Sequence, residues 1–253
     1  MLYHDEKKPL ILILPLPVWA ILAQAFRTSW ERRAAFFRVA ALPMLLLIIM
    51  GILPYQNNSG IFLAVNTIAN MLVFTVFAVH SHRVILQHED YVAFSHQLTW
   101  GYRETRFLGW SVVIFFGILF IFLLFAALLA GIIAALTGFK SVEFFLLPAA
   151  GYAVYVIARL SLLLPAVAID QPLEMGGAWR STVGNGLRLM VILVAPTIIP
   201  LVIFYFLRHQ QEINVAEKML IMPLNLATCF VGIAALSLSY QYVIRSAKKT
   251  SSS

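Results

Sequence analysis

Six long apolar runs, separated by short polar segments, set the pattern of the chain. They cover approximately residues 34–53, 60–79, 107–136, 144–165, 189–207 and 219–244. A helix needs about 20 apolar residues to cross the hydrocarbon core of a bilayer. The runs therefore predict an all-α polytopic membrane bundle with six transmembrane helices, which together form a domain over 34–245.

A different pattern precedes the first run. From Val18 to Arg33, apolar residues recur at helical spacing, and Gln24, Arg27 and Glu31 lie between them. This pattern is typical of an amphipathic helix that lies in the membrane interface rather than crossing it. We expect 1–33 to be a cytoplasmic segment ending in that helix, and 246–253 to be a cytoplasmic tail. A cleaved signal peptide over 9–22 is the alternative.

The positive charges indicate the orientation. Composition agrees with a membrane protein, because 61% of the residues are hydrophobic and 11% are charged. Basic residues at the ends of the apolar runs act as orientation signals, so the net charge of +7 does not indicate nucleic-acid binding. Three basic residues fall on one side of the predicted bundle, and fourteen fall on the other: Lys7, Lys8, Arg27, Arg32, Arg33, Arg38, Arg83, Arg103, Arg106, Arg180, Arg188, Arg245, Lys248 and Lys249. This asymmetry predicts that both termini are cytoplasmic, in a bacterial inner membrane.

Two amphipathic segments resemble each other. Ala25-Phe26-Arg27-Thr28-Ser29 precedes a run that contains Pro43, and Ala178-Trp179-Arg180-Ser181-Thr182 precedes a run that contains Pro196. The offset between the two copies is 153 residues at both ends. The match indicates a parallel internal repeat of helical hairpins, each introduced by an interfacial helix. Chance similarity between apolar sequences is the competing interpretation.

An arginine inside an apolar run is the sharpest candidate for a site. Arg159 lies within the fourth run, where a charge is costly unless it faces the bundle interior or reaches the interface. A structural arginine is one interpretation, and an anion site for lipid headgroups is the other. The hypothesis of a lipid or anion site includes five residues: Arg159, Trp179, Arg180, Arg27 and Arg83.

The remaining polar residues favour packing rather than chemistry. Asn66 and Asn70 share one face of the second span, where they are expected to hydrogen-bond across helices. The histidines between His80 and His96 match no standard zinc spacing. No nucleotide-binding loop, metalloprotease motif or nucleophile elbow is present. The sequence therefore predicts no catalytic residue, no metal site and no cofactor.

Two short motifs carry a family resemblance. They are Arg159-x-Ser161-x-x-x-Pro165 with the Ala178–Thr182 segment, and His82-Arg83-x-x-Leu86 after the second span. In these residues the chain resembles a group of bacterial inner-membrane proteins that includes YciC-like proteins. The group also includes the membrane domain of some glycerophosphoryl diester phosphodiesterases. The resemblance implies a helical membrane architecture. The phosphodiesterase members carry a separate soluble catalytic barrel, so the resemblance transfers no catalytic residue to this chain.

These observations favour a non-enzymatic integral membrane protein, acting as a lipid-interacting, scaffold or accessory component of an envelope complex. The expected partners are anionic membrane lipids, and a membrane-protein partner or a second copy of the chain stays open. A small transporter is the first alternative, and it would place Arg159, Asn66 and Asn70 around a polar cavity in mid-membrane. A membrane-embedded lipid-modifying enzyme is the second. It would gather His82, His88 or Asp170 at a water-filled cleft.

Overall fold

The structure is a computed structural model that describes residues 15–52, 59–88, 94–137, 143–208 and 215–251. All regular secondary structure within those ranges is helical. Six of the helical segments are long and apolar enough to cross a membrane. The prediction of an all-α multi-pass membrane bundle is confirmed. Residues 1–14, the first part of the predicted N-terminal segment, lie outside the described ranges, as do residues 252–253 of the predicted tail.

The helices follow one another with short connections. In chain order they are α1 Val18–Glu31, α2 Arg33–Ile52, α3 Gly60–Leu86, α4 Tyr102–Ser111, α5 Ile118–Thr137, α6 Glu143–Leu160, α7 Leu163–Ala168, α8 Met175–Ser181, α9 Gly186–Arg208 and α10 Val215–Ser251. A π-helical turn, Val112–Gly117, joins α4 to α5, so the two form one continuous rod. Inside a bilayer each helix satisfies its own backbone hydrogen bonds, which is why apolar runs of this length adopt no other local structure.

Successive spans run in opposite directions, so alternate connections meet at the same end of the bundle. We call one end the basic face; it is formed by α1, residues 94–101, α7, α8 and the adjoining ends of the spans. Two long-range hydrogen bonds join parts of this face: the Leu16 amide donates to Asn185 Oδ1 at 2.8 Å, and Arg32 Nη1 donates to the Val84 carbonyl at 2.7 Å. The basic face therefore assembles from segments that are far apart in sequence.

The core of the bundle lies next to the basic face rather than at mid-membrane. All six residues of α7 are buried, as is much of the second half of α3 and of α10. By contrast, α5 packs mainly along α6 and exposes large apolar side chains such as Phe120, Phe125 and Leu136. An apolar surface of that kind is stable in contact with lipid chains and unstable in water.

A buried glutamine side chain bonds to the backbone at a break in α2. Ala40 has non-helical torsion angles (φ −134°, ψ 15°), and Pro43 follows one turn later. The Gln97 side chain accepts a hydrogen bond from the Leu42 amide at 2.9 Å and donates one to the Arg38 carbonyl at 2.7 Å. Those two backbone groups would bond to each other in an unbroken helix, because they are four residues apart. The Gln97 amide therefore supplies a partner to each of the two groups of one missing backbone hydrogen bond.

Three predicted span boundaries differ from the observed ones. The fourth run ends as a helix at Leu160, turns at Ser161 and Leu162, and resumes as α7, instead of continuing unbroken to Pro165. The second span continues to Leu86, beyond the predicted end at 79, because its last two turns are buried in protein and need not be apolar on all sides. The sixth span is part of α10, which continues to Ser251, so the predicted tail is helical over most of its length.

Candidate functional site

The start of α4 meets the end of α7 at the basic face through an ion pair. Arg103 donates from Nε and Nη2 to both carboxylate oxygens of Asp170, at 2.7–3.1 Å. This two-point geometry is the strong form of an arginine–carboxylate contact. Asp170 follows α7 in a left-handed backbone conformation (φ 57°), which turns its carboxylate back toward α4. The pair therefore joins two segments that are 67 residues apart.

Two further arginines surround the same carboxylate. Arg83 Nη1 lies 3.8 Å from Asp170 Oδ2, and Arg106 acts on the same group through its charge. The hydrogen bonds from Arg103 lower the pKa of Asp170 below its ordinary value, and the charges of all three arginines act in the same direction, while partial burial opposes them. Three guanidinium groups thus share one carboxylate, and the group carries a net charge of about +2 when all are ionised. We call these four residues the arginine cluster.

Arg106 is the member of the arginine cluster whose guanidinium donors are not used by another described residue. Within the part of the chain that the structure describes, its guanidinium has no hydrogen-bond acceptor, and its Cζ lies 5.6 Å from the centre of the Tyr102 ring. A guanidinium has five N–H donors in a planar arrangement that suits carboxylate and phosphate oxygens. The cluster therefore has both the charge and the free donors that an anion requires.

Arg159 is engaged inside the protein. Its side chain is 7% exposed, Nε donates to Thr182 Oγ1 at 3.0 Å, and Nη2 donates to the Trp179 carbonyl. Its Cζ lies 3.6 Å from the centre of the Trp179 ring, close enough for a cation–π contact. The Trp179 carbonyl belongs to the last turn of α8, where the helix dipole favours a positive charge. These contacts tie the end of α6 to α8, as the structural interpretation of this arginine requires.

The other predicted lipid-site residues occupy different surroundings. Arg27 lies on the exposed side of α1 and forms an ion pair with Glu31 at 2.6 Å, so its charge is balanced locally. Arg180 is exposed on α8, next to Trp179. Arg83 belongs to the arginine cluster. The structure therefore brings Arg159 and Trp179 into contact with each other and places Arg83 in the arginine cluster.

The two asparagines of α3 are both hydrogen-bonded, but only one of them bonds across helices. Asn66 Nδ2 donates to the Met50 carbonyl of α2 at 3.1 Å, as predicted. Asn70 Nδ2 donates to the Asn66 carbonyl at 3.0 Å, within its own helix. These bonds and those of Arg159 lie at different places, so the three side chains do not surround a common cavity.

His82 has a packing role. It is 1% exposed, its Nδ1 lies 2.8 Å from Ser237 Oγ, and Ser237 Oγ donates its proton to the Ile233 carbonyl at 2.8 Å. Since a hydroxyl has only one proton, His82 Nδ1 must be the donor in its contact with Ser237. His82 is buried between Ser237 of α10 and the Phe107 ring of α4, whereas Asp170 is half-exposed and bonds to Arg103, so the two residues share no hydrogen-bond partner. No group of three His, Cys, Asp or Glu side chains within the described ranges could hold a metal ion.

Comparison of the chain with protein-family models, with curated proteins and with solved structures finds no match. The site is therefore defined by its own geometry. Sequence reasoning identified Arg83 but missed Arg103, Arg106 and Asp170 as its neighbours. The available signal was that Arg103 and Arg106 lie three residues apart at the start of a helix, which places them on one face.

Proposed function

We propose that this chain is a non-enzymatic integral membrane protein that binds anionic phospholipid headgroups at the arginine cluster of its basic face. In that role it acts as a lipid-interacting scaffold or accessory component of an envelope complex. The observation that carries the proposal is the set of Arg83, Arg103 and Arg106 around a single carboxylate, at the end of a bundle with an apolar, lipid-compatible surface.

The expected strength of this interaction is modest. A basic residue near an anionic membrane surface contributes roughly 1 kcal/mol of attraction. Asp170 offsets one of the three arginines, so about two charges remain to attract the ligand. We therefore expect an anionic lipid to bind about 2 kcal/mol more tightly than a zwitterionic one at low salt, which is roughly thirtyfold in affinity.

Arg106→Gln provides the test. This change removes about one unit of charge and the free donors, but leaves the Arg103–Asp170 pair in place. The expected result is a roughly fivefold loss of affinity for a short-chain phosphatidylglycerol, measured by isothermal titration calorimetry in detergent. Arg27→Gln is the matched control, because it removes one positive charge from the same face at a site already paired with Glu31. Equal losses in the two variants would contradict a specific site.

The two alternative functions have less support from the described contacts. Transport would draw on Arg159, Asn66 and Asn70 as a shared polar pathway, but Arg159 bonds to Thr182, whereas the two asparagines bond to α2 and α3. Catalysis would gather His82, His88 or Asp170 at a water-filled cleft, but His82 is packed against α10 and Asp170 is bound to arginines. His88 is exposed just beyond the end of α3. The lipid-binding role makes use of the contacts that are present.

The location that we propose is the bacterial inner membrane, with the basic face toward the cytoplasm. The support is the positive-inside rule applied to the fourteen basic residues on one side. A reporter enzyme that is active only in the periplasm, fused after Ser253, should be inactive, whereas a cytoplasmic reporter at the same position should be active. Activity of the periplasmic reporter would reverse the proposed orientation.

A further inference from the structure

An apolar cleft opens between α1, α2 and α10, away from the arginine cluster. Its volume is about 470 Å³, and aromatic and aliphatic side chains form nearly all of its wall. Pockets for small ligands commonly enclose about 300–1,000 Å³ and have mostly apolar walls. At one end are Ser29, Trp30 and Arg33, and at the other end are Ile48 of α2 and Pro223 of α10.

The cleft follows α2, which is one of the candidate membrane spans. Arg33 and Ile48 are both on α2 and lie fifteen residues apart, which corresponds to roughly 20 Å of helix. The hydrocarbon core of a bilayer is about 30 Å thick, so the cleft extends from the interface past the middle of one leaflet. A slot with one polar end at the interface and an apolar remainder matches the shape and polarity of a lipid acyl chain.

The polar end of the cleft contains the hydroxyl of Ser29. This Oγ is buried, and the described part of the chain offers it no hydrogen-bond partner. A buried hydroxyl in this state is unfavourable, because it has lost its bonds to water without replacement. Because Ser29 lines the cleft, rotation about its Cα–Cβ bond would present the hydroxyl to an acceptor oxygen on a bound molecule. Beside it, Arg33 lies over the Trp30 ring at 4.7 Å, and its Nη1 bonds to the Trp30 carbonyl at 2.8 Å.

We propose that this cleft binds one acyl chain of a membrane phospholipid, with the ester and phosphate oxygens of that lipid at Ser29 and Arg33. Charge complementarity supports this occupant, since a phosphodiester is negative and Arg33 is positive. The interfacial position of Trp30 and Arg33 supports it too, because tryptophan and arginine favour headgroup depth in membranes. This site is independent of the arginine cluster and requires a phosphodiester, not a net negative lipid.

Photolabelling of the full-length protein tests the proposal. The protein is placed in phosphatidylcholine nanodiscs containing a phosphatidylcholine that carries a diazirine near the end of one acyl chain, and the labelled peptides are identified by mass spectrometry. We expect label on the cleft segments Met44–Ile48 and Pro223–Val231 to exceed label on the lipid-exposed face of α5. Because the probe has no net charge, its result does not depend on the proposed binding of anionic lipids.

Two variants separate a bound chain from bulk lipid. Ala227→Trp fills the cleft and displaces several methylene groups, so label in the cleft should fall about tenfold. Ala127→Trp is the matched control, because it adds the same side chain to an exposed position on α5. Ser29→Ala should lower cleft labelling several-fold without destabilising the protein, since the lost hydroxyl has no partner among the residues that the structure describes.

Three results would overturn the proposal. One is equal labelling of the cleft segments and of α5 in the wild-type protein. Another is cleft labelling that neither Ala227→Trp nor Ser29→Ala reduces. The last is an unlabelled cleft that crosslinking shows to be covered by residues 1–14 or by a second copy of the chain. Arg106→Gln should leave cleft labelling unchanged, so this site and the arginine cluster can fail separately.

Discussion

Replacing Gln97 with leucine removes both hydrogen bonds that stabilise the break in α2. The Leu42 amide and the Arg38 carbonyl lose their side-chain partner, and the non-helical torsions at Ala40 prevent them from simply bonding to each other. A buried backbone group left unsatisfied costs about 1–3 kcal/mol, which gives a range of about 2–6 kcal/mol for two. Arg38 is exposed near the interface, where water can reach its carbonyl. We therefore expect a loss near the lower end, about 2–3 kcal/mol.

Equilibrium unfolding in mixed micelles of increasing sodium dodecyl sulfate measures this loss. Gln87→Leu is the matched control, because it makes the same chemical change at an exposed glutamine of the same connecting segment. Gln97→Glu should fall between wild type and Gln97→Leu: a carboxylate can accept from the Leu42 amide but cannot donate to the Arg38 carbonyl. If Gln97→Leu and Gln87→Leu have the same free energy of unfolding within about 0.5 kcal/mol, the Gln97 side chain does not stabilise the broken conformation of α2.

Three other changes test separate contacts, each by the same unfolding measurement. Arg159→Leu should cost about 2 kcal/mol, because it removes charged hydrogen bonds to α8; unchanged stability would contradict its structural role. Because the ion pair lowers the pKa of Asp170, the wild-type protein should be more stable than Asp170→Asn above about pH 4, and this difference should disappear as the pH falls further; a difference that persists in acid would contradict the ion pair. Gly186→Ala would place a Cβ in steric conflict with the Tyr155 ring and should cost about 1–3 kcal/mol, with a smaller cost in a Tyr155→Leu background; equal costs in the two backgrounds would contradict the close approach.

The sequence predicted most of the fold, because a membrane makes local composition decisive. Each apolar run had to be a helix, and α1 was predicted from Val18 to Arg33 and observed from Val18 to Glu31. The break after Leu160 was not predicted. Ser161 and Leu162 are compatible with a continuing helix, and α7 is stable as a separate turn only because the protein buries it on all sides.

The candidate site was less predictable than the fold. Arg159 stands out in the sequence as a charge inside an apolar run, and Trp179 stands out as an aromatic residue before the next run. The structure places the two residues in one contact. The pairing of Arg103 with Asp170 spans 67 residues and depends on how α4 packs against α7. The role of Gln97 depends on a break in a different helix. Contacts of this kind have no local sequence signal, since the partner is fixed only by tertiary packing.

The internal repeat has a structural counterpart at its start. Ala25 of α1 and Ala178 of α8 are both fully buried, and each helix leads into a span with an internal proline. The aromatic residues that follow differ, because Phe26 is exposed, whereas Trp179 packs against Arg159. The offset of 153 residues thus relates two helices with different neighbouring contacts, and the repeat stays a prediction.

A lipid competition experiment tests the binding of anionic headgroups most directly. Delipidated protein is exposed to equimolar phosphatidylglycerol and phosphatidylcholine at low salt, and the retained lipids are counted by native mass spectrometry. We predict that phosphatidylglycerol is retained in clear excess, and that Arg106→Gln reduces this excess about fivefold whereas Arg27→Gln does not. Equal retention of the two lipids by the wild-type protein would contradict the proposed function.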